Sequence, residues 1–364
     1  MAKYFNVYWA VLLITGAFAL LFRNDKKKFI LSTAAVHLFV AGCRYEVMID
    51  LQSYKRGYLS FATSGWFSDS IIAGGRNTLF YMINKLIANL SGNNFQVFMI
   101  ILSAISIASI SIIIYRYSES PLISYLMWSC FGFYSFSFYA LKQALAMSFI
   151  MLSAIGLFER KRWFFYLMAV SAGFVHMPAF VFLPIYELCN LKKISSFLRF
   201  YIIVFGIVFL FRNQIVSIMT DVYYESEKYA SISGFSVGGR TIMLLGLLVV
   251  GIFLCSFKNP KYRCIFIIMA NAALLQMFSV YDNVFTRLAD YFFQFIILYA
   301  PLILKQPSER ADEIPIVNFN QRSRQLLAIG FCFLAILFYY KVTLSPEHIG
   351  EAGDVVTPFK FFWQ

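Results

Sequence analysis

Long apolar runs recur along almost the whole chain and are separated by short polar connectors. Because a membrane-spanning helix needs roughly 20 mainly apolar residues, this pattern predicts a polytopic membrane protein. We assign about twelve spans, with a range of ten to thirteen: residues 4–22, 29–43, 95–115, 121–139, 141–158, 163–175, 177–191, 197–211, 241–257, 262–280, 285–304 and 325–344. The predicted fold class is therefore an all-α integral membrane protein with a single transmembrane domain over residues 1–364.

The apolar run over 163–191 is divided at His176 in this assignment. Pro178 favours the start or the break of a helix at that point. A single helix over the whole run would also invert the side of every later connector. The divided run could be two short spans or a re-entrant hairpin, which the bilayer tolerates only where the hairpin lines protein or water.

The charged residues differ between the two sides that this threading defines. Six basic connectors lie on one side: residues 23–28, 116, 160–162, 192–199, 258–263 and 305–324. The positive-inside rule makes that side cytoplasmic and places both termini outside. Most of the net charge of +13 faces inward, where topology and anionic lipid account for it. Nucleic-acid binding is not needed to explain it.

Two longer loops are predicted on the outer side. Residues 44–94 include an amphipathic segment over 78–90, which indicates either a helix in the membrane interface or a helix packed on the bundle. Residues 213–239 mix acids, tyrosines and glycines. That composition is typical of a mobile substrate-facing flap or of a plain solvated connector.

Ionisable side chains also gather at the outer ends of the spans. Such groups are costly near a membrane unless they serve a polar cavity. Their mainly cationic character predicts an anionic, phosphate-bearing substrate. The residues are Arg44, Asp50, Arg76, Lys142, His176, Arg240, Arg287 and Asp290. The six cysteines stand singly, without the spacing of a zinc site or a disulfide framework, so we expect no metal and no other cofactor.

Four segments resemble motifs of one protein family. They are GCRYEVMIDLQSY (residues 42–54), ALKQALAMSF (140–149), GFVHMPAFVFLPIY (173–186) and FTRLADYF (285–292). In order and spacing they are similar to the EpsG family of bacterial polysaccharide polymerases. The chain departs from the family pattern at Met48 and Ile49, which replace a Gly-Thr pair, and at Lys142, which replaces an arginine. A family glutamate is also replaced by Arg76 and Asn77.

The resemblance implies a membrane glycosyltransferase that joins oligosaccharide repeat units linked to polyprenyl diphosphate. It implies a function like that of the O-antigen polymerases, a fold similar to the C-type glycosyltransferases, and an O-antigen, capsule or exopolysaccharide as product. The chain would lie in the cytoplasmic membrane of a bacterium, with its active site facing the periplasm or the outside. The implied partners are the lipid-linked glycans, membrane lipids, and a chain-length regulator and flippase of the same pathway.

The chemistry of the outer residues fits an inverting, metal-independent transfer. Cationic groups can stabilise the diphosphate leaving group, and the candidates are Arg44, Lys142, Arg240 and Arg287. His176 and Asp50 are the candidate bases. Further substrate contacts are expected from Tyr54, Gln143, Arg76 and Asp290.

Each assignment has a structural alternative. The cations could extend to lipid headgroups, His176 could cap a broken helix, and Asp50 could pair with Arg44 or Arg56. Asp290 lies one helical turn after Arg287 and could be its ion-pair partner. The alternative functions are a ligase or transferase with another acceptor, and a flippase or transporter of lipid-linked anionic substrates.

Overall fold

The structure of the chain is a computed structural model. It describes residues 7–45, 49–66, 77–191, 238–254, 259–279, 283–305 and 321–344, with single residues between 203 and 214 and residues 359 and 361–363. Within these ranges the chain is helical. The only β-type pairing among them is an isolated antiparallel bridge between Arg44 and Phe361.

We number fifteen α-helices among the described residues. They are α1 (Val7–Leu21), α2 (Lys26–Gly42), α3 (Ile49–Thr63), α4 (Thr78–Ser91), α5 (Phe95–Tyr117), α6 (Pro121–Cys130), α7 (Phe133–Phe136), α8 (Leu141–Phe158), α9 (Arg162–Val175), α10 (Ile185–Cys189), α11 (Gly239–Leu254), α12 (Pro260–Gln276), α13 (Asn283–Phe293), α14 (Ile296–Lys305) and α15 (Gln321–Leu344). A 3-10 helix, Met177–Phe182, lies between α9 and α10.

Two of the described helices, α5 and α8, are long and apolar enough to cross a membrane. A third span results if Asn283–Phe293 and Ile296–Leu304 are counted together. Shorter apolar helices include α1, α9 and α11. The described part of the chain is thus helical and of membrane character, and the number of spans stays a prediction.

The chain folds as two units, each packed mainly within itself. The first comprises Met1–Leu183, Ile296–Lys305 and Phe319–Gln364, and the second comprises Pro184–Phe295 and Gln306–Asn318. In the first unit α8 packs on α9, and α5 packs on both α2 and α8. In the second unit α12 packs on α11 and α13.

Side-chain caps define the starts of several helices. Asn94 accepts hydrogen bonds from the backbone N–H groups of Gln96 and Val97 at the start of α5. Asn259 does the same for the first turn of α12, where Pro260 occupies the first helical position. Such caps satisfy N–H groups that have no partner inside the helix.

Helices α8 and α9 form a closely packed hairpin. A Cβ atom added at Gly156 would lie 2.4 Å from the backbone nitrogen of Phe165, so glycine permits this approach. Beside the hairpin turn, Glu159 pairs with Arg116 at 3.0 Å and with Lys161 at 2.8 Å. The Lys161 ammonium and the Tyr117 hydroxyl hold the pKa of Glu159 below its usual range. The hairpin therefore places the start of α8 and the end of α9 at one end of the bundle.

Three helix boundaries test the sequence predictions. The predicted break at His176 is confirmed, because α9 ends at Val175 and the 3-10 helix begins at Met177. The single helix predicted over 121–139 is wrong. It divides at Gly132, whose φ of +82° no regular helix contains. Helix α3 lies in the stretch predicted as part of the outer loop over 44–94, where a helix is expected only over 78–90.

Candidate functional site

The Lys142 side chain lies among three aromatic rings. Its Nζ atom is 5.1 Å from the ring centroid of Tyr81, 5.6 Å from that of Phe80 and 5.9 Å from that of Tyr54. It also donates a hydrogen bond to the Tyr81 hydroxyl at 3.3 Å. These distances are those of cation–π contacts. We call Lys142, Tyr54, Phe80 and Tyr81 the lysine cage.

All three rings of the lysine cage come from the pair formed by α3 and α4. The pair is packed through Phe61 and Tyr81, whose centroids are 4.4 Å apart. Lys85 of α4 donates to the carbonyl oxygens of Ala62 and Ser64 and so satisfies the carboxyl end of α3. This capping keeps the two helices in register and fixes the rings that surround Lys142.

The lysine cage also includes the amino end of a helix. Lys142 belongs to the first turn of α8, which contains no acidic residue. Its backbone N–H reaches the Tyr54 hydroxyl at 3.5 Å. The amino end of a helix has partial positive charge, and adding an ammonium there is unfavourable unless an anion is close. The half-buried Lys142 therefore makes this place favourable for an anionic group.

His176 forms the joint between α9 and the 3-10 helix. Its backbone N–H donates to Ala172 at 2.8 Å, and its carbonyl accepts from Ala179 at 2.9 Å. The next residue, Met177, donates its N–H to the side chain of Asn77 at 3.4 Å. Asn77 immediately precedes α4. The joint at His176 is thus attached to the helix that supplies two rings of the lysine cage.

Arg44 is buried inside the bundle, with 2% of its surface exposed. Its guanidinium donates to the Phe138 carbonyl at 3.3 Å, to the Ser103 hydroxyl at 3.0 Å and to the Ala41 carbonyl. It also lies 5.2 Å from the centre of the Phe138 ring. These contacts join α2, α5 and the turn before α8, so Arg44 is engaged with the protein itself.

Two further candidates lie in the second unit and pair with each other. Arg240 forms an ion pair with Asp290, and its guanidinium lies 4.7 Å from the Phe293 ring centre. Asp290 is buried. Spacing along the helix predicts Arg287 as the ion-pair partner of Asp290 and does not predict Arg240. Arg287 itself is exposed on α13.

Of the remaining candidate site residues, one is exposed, one is buried and one lies outside the described residues. Asp50 is exposed in the first turn of α3, one turn before Tyr54. Gln143 is buried beside Lys142. Arg76 and most of the predicted loop over 213–239 lie outside the described residues.

The amphipathic segment over 78–90 lies within α4, which packs on α3, α5 and α9. Its polar residues Asn84 and Lys85 are buried, whereas Leu90 is 79% exposed. The sequence pattern assigns the opposite faces to these residues. Lys85 turns inward because its ammonium caps α3.

Sequence reasoning missed Tyr81, Phe80 and Asn77 as site residues. Phe80 belongs to the apolar stripe of α4, whereas Tyr81 lies three and four residues before the polar Asn84 and Lys85 and falls outside that stripe. Asn77 is of a type that often precedes a helix, which is the signal that could have drawn attention to it.

Within the described residues, the structure is that of a helical protein of membrane character in which a cationic residue at a helix end lies among three aromatic rings. The model of the EpsG family matches residues 27–319, which is most of the chain, and the chain belongs to that family. No curated protein matches the chain. No solved structure matches it.

Proposed function

We propose that this chain polymerises polyprenyl-diphosphate-linked oligosaccharide repeat units at the outer face of the bacterial cytoplasmic membrane. Membership of the EpsG family supports a polysaccharide polymerase. In this proposal about twelve helices span the membrane and both termini lie outside. The product would be an O-antigen, a capsule or an exopolysaccharide.

The observation that supports this proposal most directly is the lysine cage. Lys142 and the amino end of α8 present positive charge at one point, and the hydroxyl groups of Tyr54 and Tyr81 lie beside it. A diphosphate offers oxygen atoms to such donors. Aromatic rings next to them give apolar faces against which a sugar ring or an isoprenoid chain can pack.

The proposed reaction is a displacement at the anomeric carbon of the donor glycan. A hydroxyl oxygen of the incoming repeat unit forms the new glycosidic bond, with inversion, as the bond to the diphosphate oxygen breaks. The diphosphate leaves with the bonding electron pair, and Lys142 stabilises the charge that develops on it. The proton of the attacking hydroxyl passes to a base, for which His176 and Asp50 are the candidates.

The role of Lys142 can be tested with lipid-linked repeat units extracted from a strain that lacks this gene. Purified protein in liposomes should convert them into a ladder of polymers. Lys142→Met should lower the rate by about 10²–10³, the usual effect of losing a charge-stabilising donor, and Lys142→Arg should retain part of it. Lys161→Met is the matched control, because Lys161 is exposed beside the α8–α9 turn. A folded Lys142→Met protein that forms the ladder at the parental rate would refute the assignment.

The identity of the base requires a second comparison. We expect His176→Gln to insert and to bind the lipid-linked substrate but to form little polymer, because glutamine cannot take up the proton. Asp50→Asn should then stay active. If the Gln variant matches the parent and the Asn variant is inactive, the base is Asp50 and His176 only joins the helices.

The acceptor distinguishes this function from that of a ligase. A polymerase extends one repeat unit with another, so repeat units alone should be enough to form the ladder. If the protein consumes lipid-linked glycan only when a different acceptor is added, the chain is a transferase of the alternative kind.

A further inference from the structure

Residues 359 and 361–363 pack against the carboxyl end of α2. Phe361 pairs with Arg44 in the antiparallel bridge. The backbone N–H of Phe362 donates to the Cys43 carbonyl at 3.0 Å. These residues follow the part of the chain that matches the family model, which ends at residue 319. We call residues 359 and 361–363 the aromatic clasp.

The side chains of the aromatic clasp pack on rings of the first unit. The Phe361 ring lies 5.7 Å from that of Phe39. The Phe359 ring lies 6.0 Å from that of Tyr8 and 6.3 Å from that of Phe138. Phe361 also stacks on Trp363, with centroids 4.6 Å apart and an interplanar angle of 8°.

Phe138 connects the aromatic clasp with the lysine cage. Its ring is contacted by Phe359 on the clasp and by the Arg44 guanidinium, and its carbonyl accepts from Arg44. Phe138 belongs to the turn that leads into α8. Lys142 follows four residues later in the first turn of that helix. The position of this turn therefore determines where α8 begins, and with it the position of the Lys142 side chain.

We propose that the aromatic clasp positions Lys142 by holding the turn at Phe138 against α2. This inference rests on the proposed function of Lys142. The clasp is not a lid over Arg44, because the guanidinium donates to Ala41, Ser103 and Phe138 and not to the clasp. Undocking of the clasp would loosen the turn without releasing Arg44 to a substrate.

The bridge geometry offers a direct test of docking. Because Arg44 lies opposite Phe361 in the antiparallel bridge, the residue before it, Cys43, lies opposite the residue after Phe361, which is Phe362. Residues opposite each other in antiparallel pairs have Cα atoms about 4.5–5.5 Å apart, within the range that a disulfide spans. In a chain whose other cysteines are serine, Phe362→Cys should form a disulfide with Cys43 on mild oxidation. Once the disulfide forms, neither thiol should react with a maleimide-polyethylene-glycol reagent, so the gel shift of the reduced protein should disappear. If both thiols stay reactive after oxidation, the proposal is overturned.

The same disulfide tests the positioning role. Phe361→Ser should lower polymer formation by about tenfold or more, since a misplacement of 1 Å can cost about 10²-fold. Oxidised Phe361→Ser/Phe362→Cys should recover most of the parental rate, and dithiothreitol should remove it again. A misfolded protein would not show this reversal. Phe362→Ala, which changes an exposed ring, should match the parent. Parental activity of Phe361→Ser, or no recovery in the oxidised double variant, would overturn the proposal.

A labelling experiment separates the clasp from the reaction. With all native cysteines replaced by serine, Lys142→Cys should react with a membrane-impermeant maleimide several-fold faster when Phe361→Ser is added. If that increase occurs but the parental chain forms no polymer, the clasp stands and the proposed function fails. If the parent forms polymer and the labelling rate is unchanged, the clasp fails.

Discussion

Gly156 lies where α8 and α9 come closest, and its replacement by alanine tests the geometry of the bundle. A Cβ atom at this position would lie 2.4 Å from the nitrogen of Phe165, 2.8 Å from its Cα atom and 2.9 Å from the Lys161 carbonyl oxygen. Ordinary contacts between non-bonded heavy atoms are about 3.5–4.0 Å. All three neighbours are backbone atoms, which cannot rotate away. The two helices must therefore move apart by about 1 Å.

The size of the effect follows from two opposing contributions. Overpacking of this kind costs typically about 1–3 kcal/mol, and we expect the upper part of that range because the backbone must shift. Alanine regains about 0.5–1 kcal/mol of helix propensity over glycine. The balance is a destabilisation of about 1–2 kcal/mol, roughly a tenfold change in the unfolding equilibrium. The start of α8, where Lys142 lies, should shift as well, and polymer formation should fall with it.

The loss of stability can be measured by heating the detergent-purified protein to a series of temperatures and quantifying, by size-exclusion chromatography, the fraction that stays folded. Gly330→Ala is the matched control, because a Cβ atom at Gly330 meets nothing within 4 Å and should leave stability unchanged or slightly higher. The Gly156 variant should melt several degrees below both the parent and the control, by about 2–4 °C for each kcal/mol. If Gly156→Ala is as stable as Gly330→Ala and equally active, α8 and α9 do not approach as closely as the structure has them.

Four further substitutions test three other contacts. Arg44→Lys should reduce the recovery of monodisperse protein, because one ammonium cannot replace a guanidinium that donates in three directions; recovery equal to the parent would contradict this. Tyr81→Phe should lower the polymerisation rate at limiting substrate by about tenfold, since hydrogen bonds to charged groups contribute about 1.5–3 kcal/mol; an unchanged rate would mean that the hydroxyl does not hold Lys142. Arg240→Gln and Asp290→Asn should each lower the melting temperature, because the first leaves the buried Asp290 carboxylate and the second the part-buried Arg240 guanidinium without its ion-pair partner. The double variant should lose less than the sum, and strict additivity in this double-mutant cycle would argue against the pair.

The sequence predicts the helix breaks that have a chemical marker. The break at His176 could be predicted because Pro178 and the charge bias of the connectors both require it. The break at Gly132 could not, because the apolar run on both sides of it is continuous. Helix α3 was hidden by Lys55, Arg56 and Gly57, which interrupt its apolar pattern.

The α3 segment does contain a helical signal. Leu51, Tyr54, Tyr58 and Phe61 recur at spacings of three and four, as one face of a helix requires. Leu51 and Tyr58 are fully buried in the structure. This helical pattern is short. It lies in a polar loop between two apolar runs, where no buried helix face is expected.

The candidate site can be predicted from the chain only in part. That Lys142 and Tyr54 lie on the same side follows from threading the spans. That Tyr81 accepts a hydrogen bond from Lys142 does not, because the two residues are 61 positions apart. The burial of Arg44 depends on Ser103 and Phe138, which come from later parts of the chain. Pairings of this kind are set by helix packing, and one sequence alone contains no record of them.

The division of the lysine cage between two parts of the chain has a consequence for how the protein could change. All its rings come from α3 and α4, a segment between two predicted spans, while the charge comes from α8 in the bundle. In the proposed function, the surface that would meet the glycan could therefore diverge without altering the group that would meet the diphosphate. Exchange of residues 49–91 between members of the family should transfer the preference for a repeat unit and leave the leaving-group chemistry intact. Residues 49–91 would then determine which glycan is preferred, while the rest of the protein would supply the same chemistry in every member of the family.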